Sequence, residues 1–97
     1  MNRLIINADD FGIHHEVNLA VAKAFDQGVL TSTSLLASGP AFNEAVALAA
    51  ARPGLGIGAH LCLVGSLSPV LAPKEVPSLV DGRGLFPESY GEFMKRV

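Results

Sequence analysis

Between residues 4 and 64 the hydrophobic pattern changes period four times, and few folds accommodate that. Leu4, Ile5 and Ile6 form a continuous apolar run that stops at Asn7-Ala8-Asp9-Asp10, the pattern of a strand buried on both faces and ending in a loop. From Glu16 onward, Val17, Ala20, Val21, Ala24 and Phe25 recur at helical spacing, with Asn18, Lys23, Asp26 and Gln27 between them. Gly28 closes this amphipathic helix. Val29 to Leu36 is β-prone and bounded by Gly28 and Ser38-Gly39-Pro40. Ala41 to Ala51 places Phe42, Ala45, Val46 and Ala49 on one helical face and ends at Arg52-Pro53-Gly54. Leu55 to Val64 then reads as a third strand, weakened by its glycines. Strands alternating with helices over short connections predict the α/β class, a parallel β-α-β-α-β unit.

Residues 65–87 differ: Pro69, Pro73, Pro77 and Pro87, with Gly82 and Gly84, punctuate a loop without long periodicity. Within it Leu79-Val80 and Leu85-Phe86 flank Asp81-Gly82-Arg83-Gly84 as a small hairpin, and a helix starts at Ser89 with Glu92 as its capping partner. The expected organisation is one partial α/β domain over residues 1–97, with its core in 1–64, a loop in 65–87 and the start of a helix in 88–97. Ninety-seven residues exclude a complete eight-stranded α/β barrel, which takes ~250. Three strands leave a sheet edge uncovered, so a homo-oligomer or a missing C-terminal portion is expected.

A composition 49% hydrophobic and 16% charged supports a packed core. A net charge of −2 without a basic run argues against nucleic acid. No apolar stretch approaches the ~20 residues of a membrane span. A single cysteine, Cys62, and the lack of a signal peptide point to the cytoplasm.

In a parallel sheet every strand delivers its C-terminal end to one edge, where α/β proteins build their sites. There the first strand brings Asp9 and Asp10, and the third brings His60. On an extended backbone adjacent side chains point to opposite faces, so one carboxylate can bind a cation while the other faces substrate or water. His60 beside a carboxylate would complete part of a mixed oxygen and nitrogen metal site, which needs a third protein ligand. Each residue also has a plainer reading. Asp-Asp after a strand is equally a solvated turn that caps a helix, and a single histidine in an apolar strand is more often a hydrogen-bonded core residue than a ligand. His14 and His15 are expected to face solvent, Ser32 and Ser34 to bond within the sheet, and Cys62 to act as a small buried hydrophobe. Asp10-Phe11-Gly12 matches the kinase magnesium motif, but nine preceding residues cannot hold the rest of a kinase site. Gly54-Leu55-Gly56-Ile57-Gly58 precedes a strand and lacks dinucleotide-binding spacing.

The stretch Leu4-Ile5-Ile6-Asn7-Ala8-Asp9-Asp10-Phe11-Gly12, then Val17-Asn18, then Gly28 to Leu35, and Gly58-Ala59-His60-Leu61 in register with them, resembles the YdjC-like carbohydrate deacetylases. The run through Pro69-Val70-Leu71, Glu75-Val76-Pro77, Leu79-Val80-Asp81 and Gly84 is similar to the branch associated with hopanoid biosynthesis. The resemblance implies the N-terminal portion of a deformed (β/α) barrel and metal-dependent hydrolysis of an N-acetyl group on a sugar or oligosaccharide. It implies Asp10 and His60 as metal ligands, Asp9 as the base and magnesium as the metal; zinc, manganese or iron also suit such donors. The family's further metal-binding histidine falls beyond residue 97, and no residue stands out as the acid for the departing amine. A different expectation from the same residues is a non-catalytic α/β domain that self-associates or binds carbohydrate. A third, a phosphate-binding half-barrel, is disfavoured by the acidic pair.

Overall fold

The computed structural model describes residues 2–97, which fall into two compact units divided between Leu61 and Cys62. The first is an α/β unit. Strands β1 (Asn7–Phe11), β2 (Ser32–Leu35) and β3 (Gly56–Ala59) form a parallel sheet in the order β1-β2-β3. Helices α1 (His15–Asp26) and α2 (Phe42–Ala50) connect them. Phe11, Val21, Leu30, Ala45 and Leu55 make the buried core, and Ala8, Val17, Ala24, Phe25, Leu35, Leu48 and Ala49 pack around it. At ~25 cal/mol per Å² of apolar surface buried, each large member contributes about 1.5–3 kcal/mol.

The strands do not coincide with their apolar runs: β1 occupies Asn7–Phe11, the stretch expected as the loop after Leu4-Ile5-Ile6, while β2 and β3 are shorter than their runs, and the backbone hydrogen bonds show why. Leu4 and Ile5 lie ahead of β1 with 76% and 79% of their surface exposed. Pairing begins only at Ile6, whose carbonyl accepts from the amides of Thr31 and Ser32 at 3.0 and 3.2 Å. A run buried on both faces needs cover on both, and the packed helices α1 and α2 supply it on one. Val29 and Leu30 cannot join β2, because their amides donate to Ala24 at the end of α1, each at 3.1 Å. Together with Gly28, which adopts φ 79° and donates to Phe25 at 2.9 Å, they close α1 in a Schellman motif. The third strand stops where β2 does: the His60 amide takes Leu35 O at 2.9 Å, and past it β2 turns away, with Leu36 O accepting from Gly39 N at 3.0 Å.

Both helices form where their periodicity predicts. His14 is extended at the N-cap of α1, and its Nδ1 accepts from the Glu16 amide at 3.1 Å. The buried stripe of α1 differs from expectation: Asn18 and Ala22 are buried, and Ala20 is exposed. At the far ends of the helices, the Arg52 guanidinium grips both oxygens of Asp26 at 2.9 and 2.7 Å, which lowers the Asp26 pKa.

In residues 62–97 the buried side chains are Leu67, Val80, Phe86 and Pro87. The expected hairpin is reduced to its turn. Asp81 N donates to Leu85 O at 2.8 Å and Gly84 N to Asp81 O at 3.0 Å, but no strand forms on either side. The Asp81 carboxylate is occupied by the Arg83 amide and guanidinium, which hold its pKa below the usual range. Ser89 caps α3 (Tyr90–Met94), accepting from the Glu92 amide at 3.3 Å. Among the described residues no helix is long and apolar enough to cross a membrane.

Candidate functional site

Strand β1 contains a bulge at its C-terminal end. Ala8 pairs with Thr33 and Phe11 with Leu35, so Asp9 and Asp10 together stand opposite Ser34 alone. Asp10 takes up the extra length in the left-handed region, φ 64°, a conformation that an aspartate tolerates better than most side chains. Simple strand alternation, which sets neighbouring side chains on opposite faces, therefore fails at the residue where the chemistry is expected. The bulge re-aims Asp10.

Its new direction is toward His60. Strands β1 and β3 are separated by β2, yet beyond the end of β3 the His60 ring spans the gap to β1: His60 Nδ1 lies 3.3 Å from both the Asp10 backbone nitrogen and Asp10 Oδ1. Nδ1 can accept the amide hydrogen when unprotonated or donate to the carboxylate when protonated, but not both at once. The Asp10 side chain is 53% exposed and that of His60 26%, so the pair is open to solvent.

Asp9 faces a different neighbourhood. Its Oδ1 accepts from Asn7 Nδ2 at 3.3 Å, and the same Nδ2 reaches Ser34 Oγ at 3.2 Å; Ser32 Oγ donates to Asn7 Oδ1 at 2.8 Å. Ser32 and Ser34 thus bond within the sheet as expected. The structure joins Asp10 to His60 and Asp9 to Asn7. Among the described residues no group of three His, Cys, Asp or Glu side chains converges as a metal site. His14 serves as a cap. His15 Nδ1 contacts Glu44 Oε2 at 2.6 Å, and this bond followed by the Glu44 charge raises the His15 pKa. Glu44 is correspondingly lowered, first by the hydrogen bond from Asn18 and then by that from His15.

The Asp10–His60 pair fits part of an ion's coordination shell. Two ligands each ~2.1 Å from one cation, at an angle between octahedral and tetrahedral, stand about 3.0–3.4 Å apart. The observed 3.3 Å lies in that span, and the donors are one carboxylate oxygen and one imidazole nitrogen; Nδ1 has a single lone pair, so to hold an ion through it His60 would release the Asp10 amide.

Behind the bulge the backbone is tightly held. Gly12, at φ 104°, donates its amide to Asn18 Oδ1 at 2.7 Å, and its carbonyl accepts from Ala41 N at 2.9 Å. Gly39 packs so closely that a Cβ there would fall 2.1 Å from Gly12 O. Asn18, which sequence periodicity sets among the polar residues of α1, is fully buried. The available signal was its place one helical turn before Val21, inside the apolar stripe.

Residues 3–97 match the sequence profile of a family described as YdjC-like protein. Relatives named carbohydrate deacetylase include proteins of Brevibacillus brevis, 48% identical over 87% of this chain and 33% of the relative, and of Thermoanaerobacter pseudethanolicus, 40% identical over 93% and 36%. A solved structure from Enterococcus faecalis, assigned provisionally to cellobiose-phosphate cleavage, superposes with a TM-score of 0.88 at 42% identity, covering 96% of this chain and 36% of that one. The chain therefore spans about a third of the length of the relatives it matches.

Proposed function

The chain belongs to the YdjC-like protein family, and from that premise we propose that it carries part of the active site of a metal-dependent hydrolase removing N-acetyl groups from carbohydrates. The observation that supports this reading is the Asp10–His60 pair, two donors 3.3 Å apart at the C-terminal edge of a parallel sheet. Asp10 Oδ1 and a ring nitrogen of His60 would hold a divalent ion, magnesium first and zinc or manganese as alternatives. Such an ion supplies Lewis-acid polarisation of an acetyl carbonyl and acidifies a water.

The chain's own groups would do the rest. Asp9 is the base: Asn7 holds its Oδ1, and the exposed carboxylate can take a proton at Oδ2. The bulge gives Asp9 and Asp10 different neighbours, so a proton acceptor and a ligand can be adjacent in sequence without competing for one partner. The substrate class follows from the relatives' names, an N-acetylated sugar or oligosaccharide. A cytoplasmic site suits the single free thiol of Cys62.

The test is a chimera in which this chain replaces the matching third of a curated relative, compared with its Asp10→Ala and His60→Ala forms. Each substitution is expected to lower metal affinity and deacetylation by more than the ~10–100-fold that follows loss of a group merely bonded to a ligand. Unchanged affinity and turnover in both would sink the assignment. A folded chimera that binds sugar without hydrolysing it would favour a non-catalytic carbohydrate-binding domain.

A further inference from the structure

Asn18 is a fully buried amide in the first turn of α1, at the head of its apolar stripe, and every hydrogen bond of its side chain leads away from its own helix. Oδ1 accepts from Gly12 N at 2.7 Å; Nδ2 donates to Ala41 O at 3.0 Å and to Glu44 Oε1 at 2.9 Å. Burying an amide is favourable only when its hydrogen bonds are made, and here they are. The three partners belong to the turn after β1, the N-cap of α2 and its first turn. One side chain thus ties the end of β1 to the start of α2.

The turn it holds follows directly from the candidate ligand. Ile13 N donates to Asp10 O at 3.0 Å, closing residues 10–13, and Gly12 N, inside that turn, is the group that Asn18 captures. Asp10 and Gly12 both adopt positive φ. A left-handed backbone still costs an aspartate free energy, which the contacts around the turn must offset. Released, Asp10 would relax toward an ordinary strand conformation and carry its amide and carboxylate away from His60.

Resting on the reading of Asp10 and His60 given above, we propose that Asn18 is a positioning residue for that pair, fixing the left-handed Asp10 through Gly12 N–H. It touches neither substrate nor metal. Glu44 and Ala41 orient the amide so that its oxygen, not its nitrogen, meets Gly12.

The experiment uses the isotopically labelled, metal-free chain, with two readouts by nuclear magnetic resonance: hydrogen exchange at Gly12 N–H, and the His60 Nδ1 resonance with its hydrogen-bond correlation to the Asp10 amide. Asn18→Leu keeps the bulk and removes the acceptor. Gly12 exchange is expected to accelerate by about tenfold or more, as for a buried donor left without its partner. The His60–Asp10 correlation should vanish while Thr33, in the middle strand, stays protected. A correlation that survives with Gly12 freed overturns the proposal. Asn18→Asp combined with Glu44→Gln retains the acceptor without setting two carboxylates 2.9 Å apart, and keeps the measurement decisive if leucine prevents folding. It should preserve Gly12 protection and the correlation together, and loss of the correlation with Gly12 still protected overturns the proposal equally. Manganese added to the unsubstituted chain separates this inference from the functional reading. If His60 and Asp10 fail to broaden, the metal reading falls, while the metal-free correlation still decides the role of Asn18.

Discussion

Ala8, Phe11 and Leu35 of the sheet pack with side chains from α1 and α2, whereas Asn7, Asp9, Ser32 and Ser34 form a hydrogen-bonded polar row on the other side, in register with Gly56 and Gly58 of β3. Strands β1 and β2 therefore carry a core on one face and a polar row on the other, while all four residues of β3 are exposed. The difference teaches where the fold tolerates chemistry. Stability comes from the helix-covered face, so the opposite face and its C-terminal edge can hold carboxylates without a desolvation cost. The bulge at Asp9 and Asp10 is the point where the two faces meet: Phe11, next in sequence, is fully buried, while both aspartates are exposed.

Truncation of Phe11 should break this contrast most severely. Phe11→Ala opens a cavity at the centre of the core and is expected to cost about 3–5 kcal/mol, a large share of the ~5–15 kcal/mol that holds a small domain together. Asn7→Ala, four residues away on the other face, removes exposed hydrogen bonds and should cost about 0.5–1.5 kcal/mol. Chemical denaturation followed by circular dichroism compares the two. Similar losses would mean that the faces do not divide stability and chemistry as described.

Gly39→Ala comes next, and it sharpens the comparison at the edge itself. The added methyl would sit 2.1 Å from Gly12 O and 3.0 Å from Leu36 O, both backbone atoms that cannot swing aside. The expected cost is about 1–3 kcal/mol, typical of overpacking, together with displacement of the turn that follows Asp10. Denaturation measures the first and the amide shifts of residues 10–13 the second. An unperturbed turn would show that Gly39 is not part of its support.

These two sites also mark what could be read before any coordinates. Helix α1 was legible because Val17, Val21, Ala24 and Phe25 repeat at its period and Gly28 supplies a left-handed stop. The parallel order followed from alternation alone, as did the delivery of Asp9, Asp10 and His60 to one edge. What escaped was everything that depends on hydrogen bonds to distant backbone. Leu4 and Ile5 look like a strand, but among the described residues no partner carbonyl reaches them. Val29 and Leu30 look like one too, but a helix terminus consumes their amides. The bulge was invisible because period-two reasoning assumes an unbroken register, and a left-handed Asp10 leaves no compositional trace. Asn18 was set with the polar residues because a pattern of residue types cannot show that a buried amide has found three partners.

The smallest expected effect concerns pH, and it tests whether the network behind the bulge is electrostatically coupled. His15 and Glu44 are both exposed enough for solvent and salt to weaken their attraction, so the contribution is modest. Its sign is nonetheless fixed. The His15 pKa is raised above the ordinary 6.5, so its share of stability is full below that value and is lost as pH rises through the higher folded one. The Glu44 pKa is lowered from 4.5, so its share is full above that value and is lost as pH falls through the lower folded one. Between about 4.5 and 6.5 the pair contributes fully. Thermal midpoints of the unsubstituted chain and of Glu44→Gln, measured across pH at low salt, should differ most in that window and less on either side, with every difference smaller in added salt. A difference that stays undiminished as pH rises well above 6.5 would mean that Glu44 stabilises the chain through Asn18 alone, with His15 a bystander.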